Sequence, residues 1–282
     1  MDTAEKRSLQ KQALQIRKGA LLAVYSGKSG HPGGSLSIAD ALAYLYFREM
    51  RVFPEEPRRP DRDRFVLSKG HCAPALYAAL ALRGFFPWEK LKTFRRLGGM
   101  LQGHPNRDDT PGVDMSTGSL GQGISAACGM ALSARISRED YRVYAVLGDG
   151  ELEEGEVWEA AMFAAQYRLD NLVAWIDFNG LQIDGKITDV MSPLPIPEKF
   201  RAFGWHTVEI DAHDFSQIEA AYAEAKATKG RPTAIVARGV KGKGVSFMEN
   251  QAGWHGKAPN DEEYARAVAE LDEALRELEA QA

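Results

Sequence analysis

The segment between residues 141 and 180 constrains the fold more than any other part of the chain. Two apolar runs, residues 141–147 and 172–178, have the length and composition of buried strands, and each ends at a glycine-containing turn. Between them, residues 154–167 carry apolar side chains at helical spacing. Strand, glycine turn, helix and strand in this order predict a βαβ unit, whose two strands lie parallel in one sheet.

The remaining patterns extend this unit into a larger domain. Apolar runs predict strands over residues 64–68, 207–210 and 233–237, and helical spacing predicts helices over residues 1–25, 37–48, 74–83, 124–135, 215–229 and 261–282. The glycine-rich residues 27–34 and 98–123 predict loops. No linker divides the chain, so we predict one α/β domain over residues 1–282, built on a parallel sheet with helices on both faces.

Composition excludes several kinds of partner. The 35 lysines and arginines against 39 aspartates and glutamates give a formal charge of −4. This balance disfavours nucleic acid and anionic membranes as partners, and no run approaches the ~20 apolar residues of a membrane span. Cys72 and Cys128 form neither a disulfide framework nor a zinc motif. Since the charged N-terminus also does not resemble a signal peptide, we predict a cytoplasmic protein.

Gly148-Asp149-Gly150 and Asn179 follow the two strands of the βαβ unit, at the point where each strand ends. Because the carboxyl ends of parallel strands meet at one edge of a sheet, we expect these side chains to be neighbours. A carboxylate, an amide oxygen and a backbone carbonyl suit Mg²⁺ or Ca²⁺, which keep positions open for phosphates and water. Gly-Asp-Gly alone is also a common turn, but the paired strand ends favour a metal–diphosphate site.

Glycine accompanies most of the histidines. Four of the six lie in glycine-rich segments, namely His31, His71, His104 and His255. One such histidine is usually structural or solvated, whereas four indicate imidazoles that face a ligand in a shared cleft. Their near-neutral pKa suits phosphate binding and proton transfer at hydroxyl groups. His206 and His213 have no glycine neighbour, and we interpret them as structural.

Three further segments leave their roles open. The acidic residues at positions 151–159 begin a helix, where the helix dipole favours carboxylates whatever the function. The glycine-rich residues 116–123 bring backbone close to another chain or to a flat ring. Residues 241–244 (KGKG) either hold phosphate or form a mobile surface loop. The segments that follow four predicted strands nevertheless place polar residues at one sheet edge, where ligands bind in this class of fold.

In this order, the motifs resemble those of transketolase. Gly148-Asp149-Gly150, then Glu154-Gly155 and Asn179, is similar to the thiamine-diphosphate motif of a wider enzyme superfamily. The narrower resemblance to transketolase lies in residues 29–33 (SGHPG), 67–71 (LSKGH), 103–105 (GHP), 117–123 (TGSLGQG) and 255–256 (HG). It spans about residues 8–260 and implies a thiamine-diphosphate-binding fold with ketol transfer as the activity.

The resemblance also implies roles for individual residues, with thiamine diphosphate and Mg²⁺ or Ca²⁺ as cofactors. Asp149 and Asn179 would bind the metal through their side chains, and Leu181 through its carbonyl. The implied cofactor-binding residues are His71, Gly118, Leu120, Gly150, Glu154, Asn179 and His255. The implied catalytic histidines are His31, His71, His104 and His255. Glu154 and Glu159 match acids that link paired active sites across a dimer interface.

Within this set, the resemblance gives several groups separate tasks. Gly150 would donate its N–H to the diphosphate, Gly118 would accept from the cofactor's amino group, and Leu120 would pack on the rings. His104 would bond the hydroxyl end of the substrate.

The resemblance covers the diphosphate-binding domain alone, whereas transketolases normally also have a pyrimidine-binding domain and a C-terminal domain. We therefore expect those domains on a separate chain. This chain is then the N-terminal subunit of a two-chain transketolase, self-associated into an α2β2-type assembly. The glutamate that contacts the cofactor's pyrimidine ring belongs to the other chain, so we expect this chain alone to be inactive. The implied substrates are a ketose phosphate donor and an aldose phosphate acceptor.

Three alternatives share parts of this pattern. The alpha subunit of a 2-oxo acid dehydrogenase has the Gly-Asp-Gly and Asn core but lacks the run of Gly-His-Pro and Lys-Gly-His segments. A deoxyxylulose-phosphate synthase is closer, but is normally one long chain. A non-catalytic regulator could keep the fold, although loss of Asp149, Asn179 or His71 would then be expected, and all three are present.

Overall fold

The computed structural model describes residues 1–280 of the 282-residue chain. The α-helices are α1 (Thr3–Gly27), α2 (Pro32–Ser37), α3 (Ala39–Tyr44), α4 (Ala73–Arg83), α5 (Gln122–Ser137), α6 (Gly155–Gln166), α7 (Ile187–Val190), α8 (Ile196–Ala202), α9 (Phe215–Ala227) and α10 (Asp261–Ala280). The strands are β1 (Arg64–Leu67), β2 (Val143–Gly148), β3 (Leu172–Phe178), β4 (Leu181–Gln182), β5 (Gly185–Lys186), β6 (His206–Asp211) and β7 (Thr233–Arg238). Of the helix predicted over residues 261–282, the last two residues lie outside the described part.

Five strands form one sheet in the order β1-β2-β3-β7-β6, and every neighbouring pair is parallel. The register places Gly148 of β2 opposite Asp177 of β3, and Phe178 of β3 opposite Arg238 of β7. From the edge strand β1 the chain passes through β2 to the central strand β3, then crosses to the opposite edge at β6 and returns inward to β7. Ligands bind at such a reversal of strand order. The prediction of a parallel sheet is confirmed.

Successive residues of the strands point into two separate apolar layers. Tyr144 and Trp175 pack on one face of the sheet with residues of α1, α3, α4 and α9. Ala145 and Ile176 pack on the other face with residues of α5, α6 and α8. Because both faces are buried, the strands are continuous apolar runs rather than alternating ones. The predicted placement of helices on both faces is therefore confirmed.

The first glycine-rich segment is more regular than its composition predicts. Pro32 occupies the first turn of α2, where its fixed φ favours a helix, so the loop predicted over residues 27–34 is wrong in its second half. The helix predicted over residues 37–48 is interrupted at Ile38 between α2 and α3. At residue 34 a Cβ atom would lie 2.7 Å from the Cys72 sulfur. Glycine here allows a close approach of two buried elements.

The C-terminal helix α10 lies outside the two layers and packs along α1. Ala267 and Leu271 of α10 are buried in a small apolar cluster that also contains Leu21 and Trp254. Within residues 1–280, no helix combines the length and the apolar character that crossing a membrane requires.

Candidate active site

A cavity of about 310 Å³ opens at the carboxyl edge of the sheet. The loops that follow β1, β2, β3 and β7 all contribute to its wall, as the strand ends predicted. Its lining residues are His31, Gly34, Lys69, His71, Gly118, Leu120, Gly148, Asp149, Gly150, Glu151, Glu153, Glu154, Asn179, Leu181, Gln182, Ile183, Lys241 and His255. The lining includes every predicted catalytic, cofactor-binding and metal-binding residue except His104.

Asp149 and Asn179 follow the adjacent strands β2 and β3. The Asp149 carboxylate accepts backbone N–H groups from both of the segments that follow these strands. Asp149 is 2% exposed; its Oδ1 accepts the N–H of Gly150 at 2.9 Å, and its Oδ2 accepts the N–H of Gly180 at 2.5 Å. The Asn179 side chain is buried and donates through Nδ2 to Asp177 at 2.8 Å. The parallel register therefore brings together two side chains that lie thirty positions apart in the sequence.

The Asp149 carboxylate is a buried charge whose hydrogen bonds come from backbone N–H groups. Burial, and then the nearby Asp177 carboxylate, raise the pKa of Asp149 to about 6. Within residues 1–280, no three His, Cys, Asp or Glu side chains cluster as a metal site. The Asp149 carboxylate, the Asn179 amide and the Leu181 carbonyl supply oxygens instead, and in this structure they accept hydrogen bonds from backbone N–H groups and from Lys241. This hard donor set fits Mg²⁺ or Ca²⁺, with further positions for phosphate and water.

Lys241 adds a buried cation to the same wall. Its Nζ donates to the Leu181 carbonyl at 2.8 Å and lies 3.0 Å from Nδ1 of His255. The residue is 3% exposed. Burial, and then the positive charge of Lys69, lower the pKa of Lys241. Lys241 is therefore not part of a mobile surface loop, and phosphate binding by this segment stays a prediction.

A buried ion pair lies behind the predicted metal ligands. Lys69 Nζ is 2.6 Å from Asp177 Oδ2, and the two side chains are 2% and 0% exposed. Burial opposes both charges, but their mutual attraction prevails, so the pKa of Lys69 is raised and the pKa of Asp177 is lowered. Because Asp177 also accepts from Asn179, the pair helps to orient that amide. Asp177 is absent from the predicted site, and the signal that could have found it is a charged residue inside an otherwise apolar strand.

Replacing Lys69 with methionine is expected to reduce the free energy of unfolding by about 3–5 kcal/mol, because the Asp177 charge stays buried without its cation. Urea denaturation followed by circular dichroism measures this change. Lys92→Met is the matched control, since Lys92 is exposed, and its effect should stay within about 0.5 kcal/mol. A loss for Lys69→Met as small as the control's would contradict a charged pair.

Glu151 is a second functional residue that the motifs did not single out. It is 2% exposed, and its carboxylate accepts the Ser68 hydroxyl together with the N–H groups of Gly121 and Gly148, the latter two at 3.0 Å. These donors belong to three different segments of the cavity wall. Glu151 therefore joins those segments of the cavity wall.

The structure brings three of the four glycine-flanked histidines into one triangle. The ring centroids of His31 and His71 are 5.2 Å apart, those of His31 and His255 are 5.3 Å apart, and those of His71 and His255 are 5.2 Å apart. Residues that are far apart in the sequence thus present their imidazoles to one cavity.

These imidazoles are uncharged at neutral pH. Burial is the main cause, and nearby cations add to it: the pKa of His31 is lowered to about 4 and the pKa of His255 to about 3. The pKa of His71 is also well below its ordinary value, mainly through burial. A neutral imidazole has one donor and one acceptor nitrogen, which suits proton transfer at a hydroxyl group. Among the described residues, the buried Nδ1 of His31 is one of the few side-chain polar atoms without a hydrogen-bond partner.

His104 is outside the cavity lining but packs against Gly118, which belongs to it. A Cβ atom at residue 118 would lie 3.1 Å from the His104 ring, and the φ angle of +151° there is one that L-residues rarely adopt. Both features require glycine at this position. Burial, and then the Arg95 charge, lower the pKa of His104. Gly118 and Leu120 thus bring the glycine-rich loop against the cavity, as predicted.

Four other residues interpreted from the sequence have mixed placements. The N–H of Gly150 is taken by Asp149, so in this structure it points to that carboxylate. Glu154 lines the cavity although its side chain is largely exposed. Glu159 is exposed on α6 outside the lining, and His206 pairs with Glu224 at 2.6 Å, in agreement with a structural role.

A larger open cleft of about 710 Å³ lies along the β1 edge, and it contains none of the predicted site residues. Its buried Arg62 already pairs with Asp114. The positive charge of Arg62 is therefore neutralised by Asp114 within the fold. The chemistry of the lining favours the smaller cavity as the active site.

Comparison with known proteins agrees with this geometry. The family model of the transketolase thiamine diphosphate binding domain matches residues 8–273. The chain is 49% identical over 264 residues to the 6-deoxy-6-sulfo-D-fructose transketolase subunit SqwG of Clostridium sp. (strain MSTE9), covering 94% of this chain and 96% of that one. It is 43% identical over 272 residues to an apulose-4-phosphate transketolase subunit of Phocaeicola vulgatus, covering 96% of each chain.

Solved structures show the same fold in longer proteins. Transketolase from Leishmania mexicana superposes with a TM-score of 0.87 at 34% identity, covering 97% of this chain. This chain spans 45% of that one, about half its length. The resemblance read from the motifs is confirmed: the chain belongs to the transketolase family, as a thiamine-diphosphate-binding domain.

Proposed function

We propose that this chain is the N-terminal subunit of a two-chain transketolase, which moves a two-carbon ketol unit from a ketose donor to an aldose acceptor. The observation that carries the proposal is one cavity with a hard oxygen donor set on one wall and three neutral imidazoles on another. That pairing provides for a metal-bound diphosphate and for proton transfer at sugar hydroxyls within the same space. Residues 1–282 then form one domain, and the pyrimidine-binding and C-terminal domains belong to a separate chain.

In this proposal Asp149, Asn179 and Leu181 bind Mg²⁺ or Ca²⁺, and Lys241 faces the diphosphate. The buried lysine offers a positive charge beside the Leu181 carbonyl. The N–H of Gly150 bonds to Asp149 in this structure, and binding of the diphosphate would take over that donor.

When bound, thiamine diphosphate supplies the nucleophilic carbon and the electron sink. This chain orients the reactants, excludes water and moves protons. His31, His71 and His255 are neutral and face the cavity, so they can donate to one substrate oxygen and accept from another. In this proposal His104, which packs against the cavity-lining Gly118, bonds the far hydroxyl end of a sugar.

A partner chain is part of this proposal because both similar relatives are named as transketolase subunits. An exposed apolar side chain of the cavity lining is consistent with a covering chain: Ile183 is 64% exposed. Exposed apolar groups at a site edge are typical of protein contacts. We also place the complex in the cytoplasm, since Cys72 and Cys128 are free and buried.

Self-association into an α2β2-type assembly is supported by α6. Met162 and Phe163 on this helix and Tyr167 at its end are 52%, 37% and 47% exposed. Together they present an apolar strip that a second copy could cover. Glu159 lies on the same helix, and Glu154 immediately precedes it, consistent with acids that meet at an interface between copies.

The donor in this proposal carries an anionic group. The two similar relatives are named for a sulfonated ketose and for a sugar phosphate. Both names place a strong anion on the sugar, although the groups differ in chemistry. We therefore propose a phosphorylated or sulfonated ketose as the donor and an aldose phosphate as the acceptor.

The test is a donor screen with the two chains purified together. The complex receives thiamine diphosphate, Mg²⁺ and an aldose phosphate, and ketoses with a phosphate, a sulfonate or no anion are compared by product chromatography. We expect transfer of two carbons and preference for an anionic ketose. Decarboxylation of a 2-oxo acid without ketol transfer would instead identify part of a 2-oxo acid dehydrogenase and overturn the proposal.

A further inference from the structure

His213 lies outside the cavity lining, yet both of its ring nitrogens have defined partners. Nδ1 is 2.7 Å from Oδ2 of Asp40, and Nε2 accepts the backbone N–H of Val240 at 3.0 Å. Because a backbone N–H can only donate, Nε2 has no proton. The ring is therefore the neutral tautomer with its proton on Nδ1, which it donates to Asp40.

Asp40 provides a fixed anchor for this ring. Its side chain is 8% exposed and pairs with the Arg17 guanidinium, whose side chain is 5% exposed. Burial opposes the carboxylate charge, but Arg17 and the hydrogen bond from His213 outweigh it, so the pKa of Asp40 is lowered. The network links α1, α3, the turn after β6 and the loop after β7. Four separate parts of the fold thus converge on one imidazole.

His213 accepts the N–H of Val240, and Val240 immediately precedes Lys241 in the sequence. The loop is also fixed by backbone bonds from Gly239 to Phe178 and from Gly242 to Gly33, each 3.0 Å long. Between these two anchors, the N–H of Val240 is held by the His213 side chain. The His213 acceptor is thus the side-chain contact among several backbone contacts that hold this loop, which also include the N–H of Asn250 on the Lys241 carbonyl at 2.9 Å.

We propose that His213 is a positioning residue, which holds residues 239–242 so that Lys241 faces the site of the cofactor diphosphate. The proposal rests on the proposed binding of thiamine diphosphate. Without the Nε2 acceptor, the loop occupies other arrangements, and only the fraction with Lys241 in place binds the cofactor at full strength. Apparent affinity falls in proportion to that fraction, and we expect a loss of roughly tenfold.

Two substitutions separate the two functions of the ring. Asparagine at position 213 can still donate to Asp40 but leaves the Val240 N–H without an acceptor. Glutamine reaches further and can place its carbonyl oxygen near the position of Nε2. We expect His213→Asn to weaken binding of thiamine diphosphate with Mg²⁺ roughly tenfold, and His213→Gln to stay within about threefold of the unaltered complex.

The deciding measurement is a double-mutant cycle with Lys241→Met, using calorimetric titration of the two-chain complex with thiamine diphosphate and Mg²⁺. If His213 acts through Lys241, His213→Asn has no further effect once Lys241 is absent. The proposal is overturned if the affinity losses of His213→Asn and Lys241→Met are additive in the double variant. It is also overturned if His213→Asn and His213→Gln lose affinity equally. His206→Asn is the control, since His206 pairs at the surface with Glu224 and should leave affinity unchanged.

A second measurement does not require a stable variant. Nitrogen-15 NMR of labelled histidine in the unaltered complex should show His213 protonated at Nδ1 and unprotonated at Nε2. A proton on Nε2 would exclude the bond to Val240 and overturn the proposal even if His213→Asn fails to fold. If the unaltered complex does not bind thiamine diphosphate at all, the proposed function fails first, and that result is distinct from either outcome here.

Discussion

Replacing Asp149 with alanine is expected to abolish metal-dependent binding of thiamine diphosphate, with an affinity loss of at least ~100-fold. Substitution of residues that only support metal ligands already costs about 10–100-fold in metal affinity, and Asp149 supplies the carboxylate of the donor set. Its removal leaves only the neutral oxygens of Asn179 and Leu181. Calorimetric titration of the two-chain complex, with and without Mg²⁺, measures the loss.

Asp189→Ala is the matched control for Asp149→Ala. Asp189 is an exposed aspartate in α7, so its removal changes the net charge equally but leaves the cavity intact. The melting temperature of both variants is recorded, because Asp149 also accepts N–H groups from Gly150 and Gly180. Unchanged affinity in a folded Asp149→Ala complex would show that the metal assignment is wrong.

The chain purified alone is expected to bind thiamine diphosphate weakly and to transfer no ketol unit, whereas addition of the partner chain restores turnover. The donor set and the imidazoles lie in this chain, but the acid expected to contact the pyrimidine ring does not. A coupled assay for the aldose product, run on each chain separately and then on the mixture, measures the difference.

Two controls make this comparison decisive. The partner chain alone must also be inactive, and the mixture containing Asp149→Ala must remain inactive, since activity would otherwise come from a contaminating enzyme. Robust turnover by the purified single chain would refute the two-chain proposal. Activity in the mixture that exceeds the sum of the separate chains supports it.

Much of the fold was predictable because its signals are local. The strand over residues 172–178 has the predicted bounds in the structure, as does the start of α9 at Phe215, since apolar runs and helical spacing report burial directly. The wrong prediction of a loop where α2 begins also has a local cause. Buried glycines that permit close packing have the same composition as glycines in a loop, so residues 27–34 could not be assigned from composition alone.

Much of the candidate site was also predictable, for a different reason. Once the sheet is parallel, every strand end faces the same edge, and polar residues placed there converge without further information. His71 reaches the cavity in this way, from the segment after β1. His31 comes instead from the start of α2 and His255 from the turn that ends at Trp254, so their approach to His71 does not follow from the strand ends. Glu151 could not be recognised as a buried residue from the sequence. An acid at the start of a helix gives the same sequence pattern whether its side chain is exposed or is buried and accepts three hydrogen bonds.

The class of the fold, the edge of the sheet that carries the chemistry and the side chains available there can all be read from the linear chain. Those properties follow from periodicity, from glycine turns and from the short motifs that surround the histidines. The charges of these groups and the partners that hold them follow instead from the three-dimensional packing. The partners of Lys69 and His213 lie 108 and 173 positions away in the sequence. Such pairs arise when the sheet order brings distant segments together, and burial then makes each charge depend on its partner.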